Sequence, residues 1–235
     1  MTLSLAGRSV LVISPHPDDE TFGCGGMIAR AVREGARVSV QVISAPQSLV
    51  QYAAGGAVDG STRLEEFRRA MECLGVSQYD VAFTSNDVHM RLDQYPQRDL
   101  IGLIEREAVY SLDRVGPDIL CIPAPSFNQD HRAVFDACVA ACRPHLPNVK
   151  PFCPTVLVYE QPQSFWGVKP MVTSVFVDIS SSLPTKLQAL NCYRSQLQPD
   201  PHHASLDAVE RLARVRGAEI CVTAAEAYRC LRWVV

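Results

Sequence analysis

Short apolar runs alternate with amphipathic stretches along this chain, and that alternation restricts its fold more than any other feature. Residues 9–13, ending in Val10-Leu11-Val12-Ile13, offer no solvent-facing side and read as a strand buried on both faces. Helical spacing follows over residues 25–34 and stops at Gly35, and residues 38–43 form a second apolar run, completing one βαβ unit. A capped helix at 61–74 before Gly75, a short strand at 81–83, a helix at 98–113, a strand at 117–122 and a helix at 129–142 continue the pattern. Apolar runs at 155–159 and 174–179 and helices at 182–195 and 205–216 complete it. The expected fold is α/β: one doubly wound, Rossmann-like domain over residues 1–235, with a mostly parallel sheet, right-handed crossovers and helices on both faces. The Gly- and Ala-rich stretch 47–60 reads as a mobile loop.

Composition narrows the function classes. A net charge of -3 gives no basic field for nucleic acid or an anionic membrane, so small molecules are the expected partners. The first eight residues are too short and already arginine-ended for a signal peptide, and no apolar run approaches the roughly 20 residues of a membrane span. A cytoplasmic location is expected. The nine cysteines are an odd set without a C-x-x-C pair, which argues for reduced, buried thiols over disulfides or a thiolate metal site. Cys24, inside the glycine-rich stretch, could also line a site. Oligomerisation is compatible with this sequence.

The turn after the first strand carries far more charge than a turn needs. In Ser14-Pro15-His16-Pro17-Asp18-Asp19-Glu20 one imidazole stands beside three acids that repel one another, which calls for a positive partner. In doubly wound sheets ligands bind beyond the carboxyl ends of the strands where the strand order reverses. That rule brings His16, Asp18 and Asp19 beside Asn128, Asp130 and His131, which follow the strand at 117–122. Two imidazoles and a carboxylate, with water completing the shell, make an open catalytic zinc site, so the positive partner reads as a metal. Pro17 fixes the backbone so that His16 and Asp19 face one ion, leaving Asp18 as general base for an acidified water. Fe(II), Co(II) or Ni(II) would suit the same ligands.

These residues resemble the LmbE-like, or PIG-L, family of zinc-dependent N-deacetylases. The likeness lies in Pro15-His16-Pro17-Asp18-Asp19-Glu20 with Gly23-Cys24-Gly25-Gly26, and in Asn128-Gln129-Asp130-His131 opening a helix. It implies His16, Asp19 and His131 as metal ligands, Asp18 as base and Asp130 as an orienting carboxylate. It also implies an N-acetylglucosamine-type sugar or sugar conjugate as substrate, contacted by Arg63 at the pocket edge and by Asp93. Asn128 departs from the pattern, since some members carry histidine there; an amide donates to an oxyanion but cannot act as an acid.

Plainer readings stand beside these. The glycines lack the third position of a dinucleotide loop, Ile28 standing there, and instead allow close helix approach. His89 reads as a solvated loop histidine, with a fourth ligand or a substrate contact as the alternative, His145, His202 and His203 as surface residues, and Trp166 as a rim or core cover. An amidase for larger conjugates, or an inactive metal-binding regulator, are the alternative functions; retention of Asp18 argues against the second.

Overall fold

The computed structural model describes residues 4–51, 56–146, 148–163 and 171–234. The elements in chain order are β1 (Ser9–Ser14), α1 (Asp19–Arg33), β2 (Arg37–Ser44), β3 (Ser48–Gln51), β4 (Gly56–Asp59), α2 (Gly60–Leu74), β5 (Gln78–Phe83) and α3 (Gln97–Gly102). They continue with α4 (Leu112–Val115), β6 (Ile119–Pro123), α5 (Gln129–Ala141), β7 (Thr155–Tyr159), β8 (Val175–Asp178), α6 (Leu183–Leu190), α7 (Leu206–Glu219) and β9 (Ala225–Trp233).

Seven strands form one sheet in the order β5-β2-β1-β6-β7-β9-β8. The first five run parallel, whereas β9 is antiparallel to both β7 and β8. The expected α/β sheet is therefore present, with an antiparallel margin. Strand order reverses between β1 and β6, which pair directly through Val10–Ile119, Leu11–Leu120 and Val12–Cys121. Because side chains alternate across a strand, Val10 and Val12 feed the core that includes Met27, Phe67 and Tyr193, while Leu11 and Ile13 feed the one with Leu92, Ile104 and Val134.

Helix α1 begins at Asp19, six residues before the start expected at 25. Three glycines in its first half lower intrinsic helicity, but packing overrides propensity. A Cβ on Gly23 would lie 2.2 Å from the Tyr159 ring, and one on Gly26 2.7 Å from Ile179. The backbone here is also served by a buried ion pair: the Gly26 and Met27 N–H groups donate to Glu226 at 2.8 Å each, and Lys186, 2.6 Å from Glu226, donates to Phe22 O. Gly23→Ala is expected to cost about 3 kcal/mol of stability despite alanine's better propensity, because the Tyr159 ring must move. Urea denaturation checks this; an unchanged midpoint would mean that this contact does not require the glycine.

Other departures from expectation have local causes. The helix expected over 98–113 is interrupted: α3 passes into a π-helical turn, Leu103–Glu107, that turns Ile104 into the core and Glu105 onto Lys150, and α4 follows separately. Within the 47–60 stretch, β3 and β4 pair antiparallel, and the Gln47 and Ser48 N–H groups bond to Asn86 Oδ1. Cys24 is fully buried beside Cys121 and is not among the groups that converge in the site described below. Trp166 lies outside the described residues. Among those residues, no helix is long and apolar enough to cross a membrane.

Candidate metal centre and active site

The charged turn leaves β1 at the point where strand order reverses and feeds straight into α1. Asp18, the residue before the helix, has φ 118° and ψ -33°, a conformation L-residues rarely adopt. Its carbonyl accepts from the Thr21 and Phe22 N–H groups, while its carboxylate makes no capping bond. Glu20 braces the turn instead: it accepts from Asp18 N, Ser14 Oγ, Thr21 Oγ1 and the Tyr193 hydroxyl, and is fully buried. The third acid of the turn thus belongs to its support.

The remaining groups converge. Nδ1 of His16 and Nε2 of His131 lie 3.5 and 3.2 Å from the same Asp19 oxygen, Oδ2, and one ligand atom from each residue falls within 4.8 Å of the others. All three residues are buried. His16 Nε2 lies 2.9 Å from Asp130 Oδ2, whose partner Oδ1 accepts from Leu92 N. Asp130 thereby holds the far nitrogen of His16 and turns Nδ1 toward Asp19, the support that metal-binding imidazoles commonly receive. The other oxygen of Asp19 accepts from Gln161 Nε2 at 2.9 Å. Two imidazole nitrogens and a carboxylate oxygen so arranged suit a divalent transition metal.

The electrostatics agree with that fit. Burial alone would raise Asp19, but His131 and His16 hold it well below the usual carboxylate range. Burial would lower His16, yet its hydrogen bonds to Asp130 and Asp19 carry it up to about 9. At neutral pH the metal-free site therefore holds a proton on His16 that an incoming ion must displace. Metal affinity is expected to rise with pH up to about 9, with about one proton released per ion near neutrality. Calorimetry in buffers of different ionisation enthalpy measures that proton; a heat independent of buffer would remove His16 as a ligand.

Asp18 is half-buried and is pushed up to about 7, chiefly by burial, with Asp19 and Glu20 adding to the rise and Arg63 opposing it. Arg63 was expected at the pocket edge. It is instead 2% exposed on α2 and donates from Nη2 to Pro17 O and, at 3.2 Å, to Asp18 Oδ2. It holds the Asp18 carboxylate in position, and its Nε and Nη1 have no hydrogen-bond partner among the described residues.

Asn128 is the N-cap of α5, accepting from Asp130 N at 2.9 Å, and its Nδ2 faces Met90 Sδ at 3.8 Å. Losing this cap in Asn128→Ala should cost about 1 kcal/mol in chemical denaturation; an unchanged stability would show the cap to be dispensable. Asp93 is exposed, and no described contact joins it to the ligand cluster. His89 is not the solvated residue expected from sequence. Its ring packs edge-on against His16 with centroids 4.8 Å apart, its Nδ1 lies 3.2 Å from Ser44 Oγ, and burial beside His16 depresses it to about 3. His202 and His203 are exposed, as expected. Gln161 and Tyr193 went unnoticed in the sequence; the position of Gln161 just past the carboxyl end of β7 was the available signal.

The family model described as "PIG-L: GlcNAc-PI de-N-acetylase" matches residues 11–142, a span holding most of β1, all of α5 and all three candidate ligands. The chain belongs to the PIG-L family. Curated relatives of this PIG-L chain include the uncharacterized deacetylase YaiS of Escherichia coli, 28% identical over 80% of this chain and 91% of that protein. The diacetylchitobiose deacetylase of Thermococcus kodakarensis is 29% identical over 82% of this chain and 72% of its own length. The expected enzyme class, a hydrolase of a non-peptide carbon–nitrogen bond, is the class of these relatives. Among solved structures, the conserved protein TT1542 of Thermus thermophilus aligns with TM-score 0.74 at 25% identity, covering 97% of this chain and 96% of that one. GalB, the 4-carboxy-2-hydroxymuconate hydratase of Pseudomonas putida, aligns with TM-score 0.72 at 21% identity over 97% and 98%. The fold thus also serves a hydratase, and it does not by itself select the reaction.

Proposed function

We propose that this PIG-L chain is a metal-dependent N-deacetylase, with zinc as the metal and an N-acetylated sugar or sugar conjugate as the substrate. His16, Asp19 and His131 would hold the ion. When bound, it would acidify a water and polarise the acyl carbonyl. The observation that carries the reading is the placement of Asp18. Its carboxylate is released from helix capping, stays partly accessible beside the ligand cluster and is gripped by Arg63. A pure metal-binding protein has no use for such a group, whereas a hydrolase needs a carboxylate to take the attacking water's proton and pass it to the departing amine. Asp130 keeps His16 oriented, and Gln161 keeps Asp19 oriented. Asp93 is proposed as a contact to sugar hydroxyls at the open side.

A panel of N-acetyl sugars, free, nucleotide-linked and lipid-linked, assayed for acetate with zinc-loaded and metal-stripped protein, tests the reading. Acetate released only by the loaded form, and lost in Asp18→Asn, is expected. No release from any member would overturn the substrate class.

A further inference from the structure

Asn128 leaves a gap in the chemistry just proposed. Its Oδ1 is committed to the α5 N-terminus and one of its two amide hydrogens faces a thioether, which leaves room for a second donor to the acyl oxygen. The segment that carries His89 is lashed to the same helix start. Gln129 Nε2 donates to Met90 O at 2.8 Å, Leu92 N donates to Asp130 Oδ1 at 3.0 Å, and Met90 is held at φ 61°, in the left-handed region. This anchoring seats the His89 imidazole against His16.

The tautomer follows from Ser44. The Pro15 carbonyl already accepts from Ser44 N at 3.0 Å, and the Ser44 hydroxyl lies 3.5 Å from that oxygen but 3.2 Å from His89 Nδ1. The hydroxyl proton is better placed on Nδ1, which leaves the hydrogen of the neutral ring on Nε2. Among the described residues Nε2 has no hydrogen-bond partner. On the reading of the site as a deacetylase, we propose that His89 donates its Nε2 hydrogen to the acyl oxygen of the substrate and to the oxyanion that develops from it. His16, one of the proposed ligands, is already in edge-on ring contact with this imidazole, which sets His89 beside the cluster. Ser44 is then a positioning residue, acting through the ring.

Two measurements test the assignment. In the zinc-loaded chain with ¹⁵N-labelled histidine, long-range ¹H–¹⁵N spectra should give His89 as the Nε2–H tautomer, and added sodium acetate should shift its Nε2 signal. A proton on Nδ1, or no response to acetate, overturns the proposal whether or not a substrate is known. In kinetics, His89→Ala should keep its zinc and lose on the order of 10²-fold in kcat with little change in KM, the loss expected for one oxyanion donor. His89→Gln, which retains an N–H donor, should recover part of that loss. A wild-type kcat in His89→Ala, or no recovery in His89→Gln, removes the role. Absence of acetate release from the wild type would count against the deacetylase reading alone, because the spectra still decide the hydrogen-bonding state of His89.

Discussion

His131→Ala is expected to empty the metal site and abolish acetate release together. The substitution leaves two of the proposed ligands, His16 and Asp19, and removes the nitrogen 3.2 Å from Asp19 Oδ2. Affinity should fall by more than the roughly 10–100-fold lost when only an outer partner of a metal ligand is removed. A second effect adds to it. His131 is the chief influence holding the buried Asp19 carboxylate in its charged form, so its loss lets burial raise that group and weakens the ligand that remains. Zinc content by mass spectrometry and acetate release should fall in parallel, while melting in the absence of metal reports any general loss of fold. A His131→Ala protein carrying a full equivalent of zinc would strike His131 from the ligand set.

The parts of this molecule that could be read in advance share a physical trait: they are set by local pattern or by a rule of sheet topology. Residues 9–13 and 117–122 are apolar enough to be buried strands, and strand reversal between them brings His16 and Asp19 to His131 across more than a hundred positions of sequence. Features decided by tertiary contact were not legible. The early start of α1 depends on Tyr159 and Ile179, each far along the chain, filling the space its glycines leave. Strand β9 carries exposed and half-buried residues in its second half and gains its place only by pairing with β7 and β8. Arg63 was expected to meet the substrate at the pocket edge, because nothing nearby in sequence shows that Pro17 O and Asp18 lie beneath it. His89 likewise belongs to the site through Ser44 and His16, contacts invisible in the polar segment around it.

Asp18→Asn separates metal binding from chemistry. Asparagine is nearly isosteric and among the residues that best tolerate positive φ, so the strained turn at φ 118° should persist. The braces of the turn run through Glu20 and the Asp18 backbone, and the substitution touches neither. Arg63 loses a charged partner but keeps the Pro17 carbonyl, and Glu66 remains 3.7 Å from its Nη1. Zinc should stay, because Asp18 is not among the three converging ligands. What disappears is the proposed acceptor for the water's proton, since an amide oxygen cannot hold that proton near neutral pH. Turnover should fall on the order of 10²-fold or more, with KM much less affected. Metal content, thermal stability and steady-state kinetics on one preparation distinguish the outcomes. Loss of zinc would recast Asp18 as part of the metal site, and near-normal turnover with zinc retained would transfer the base to another group.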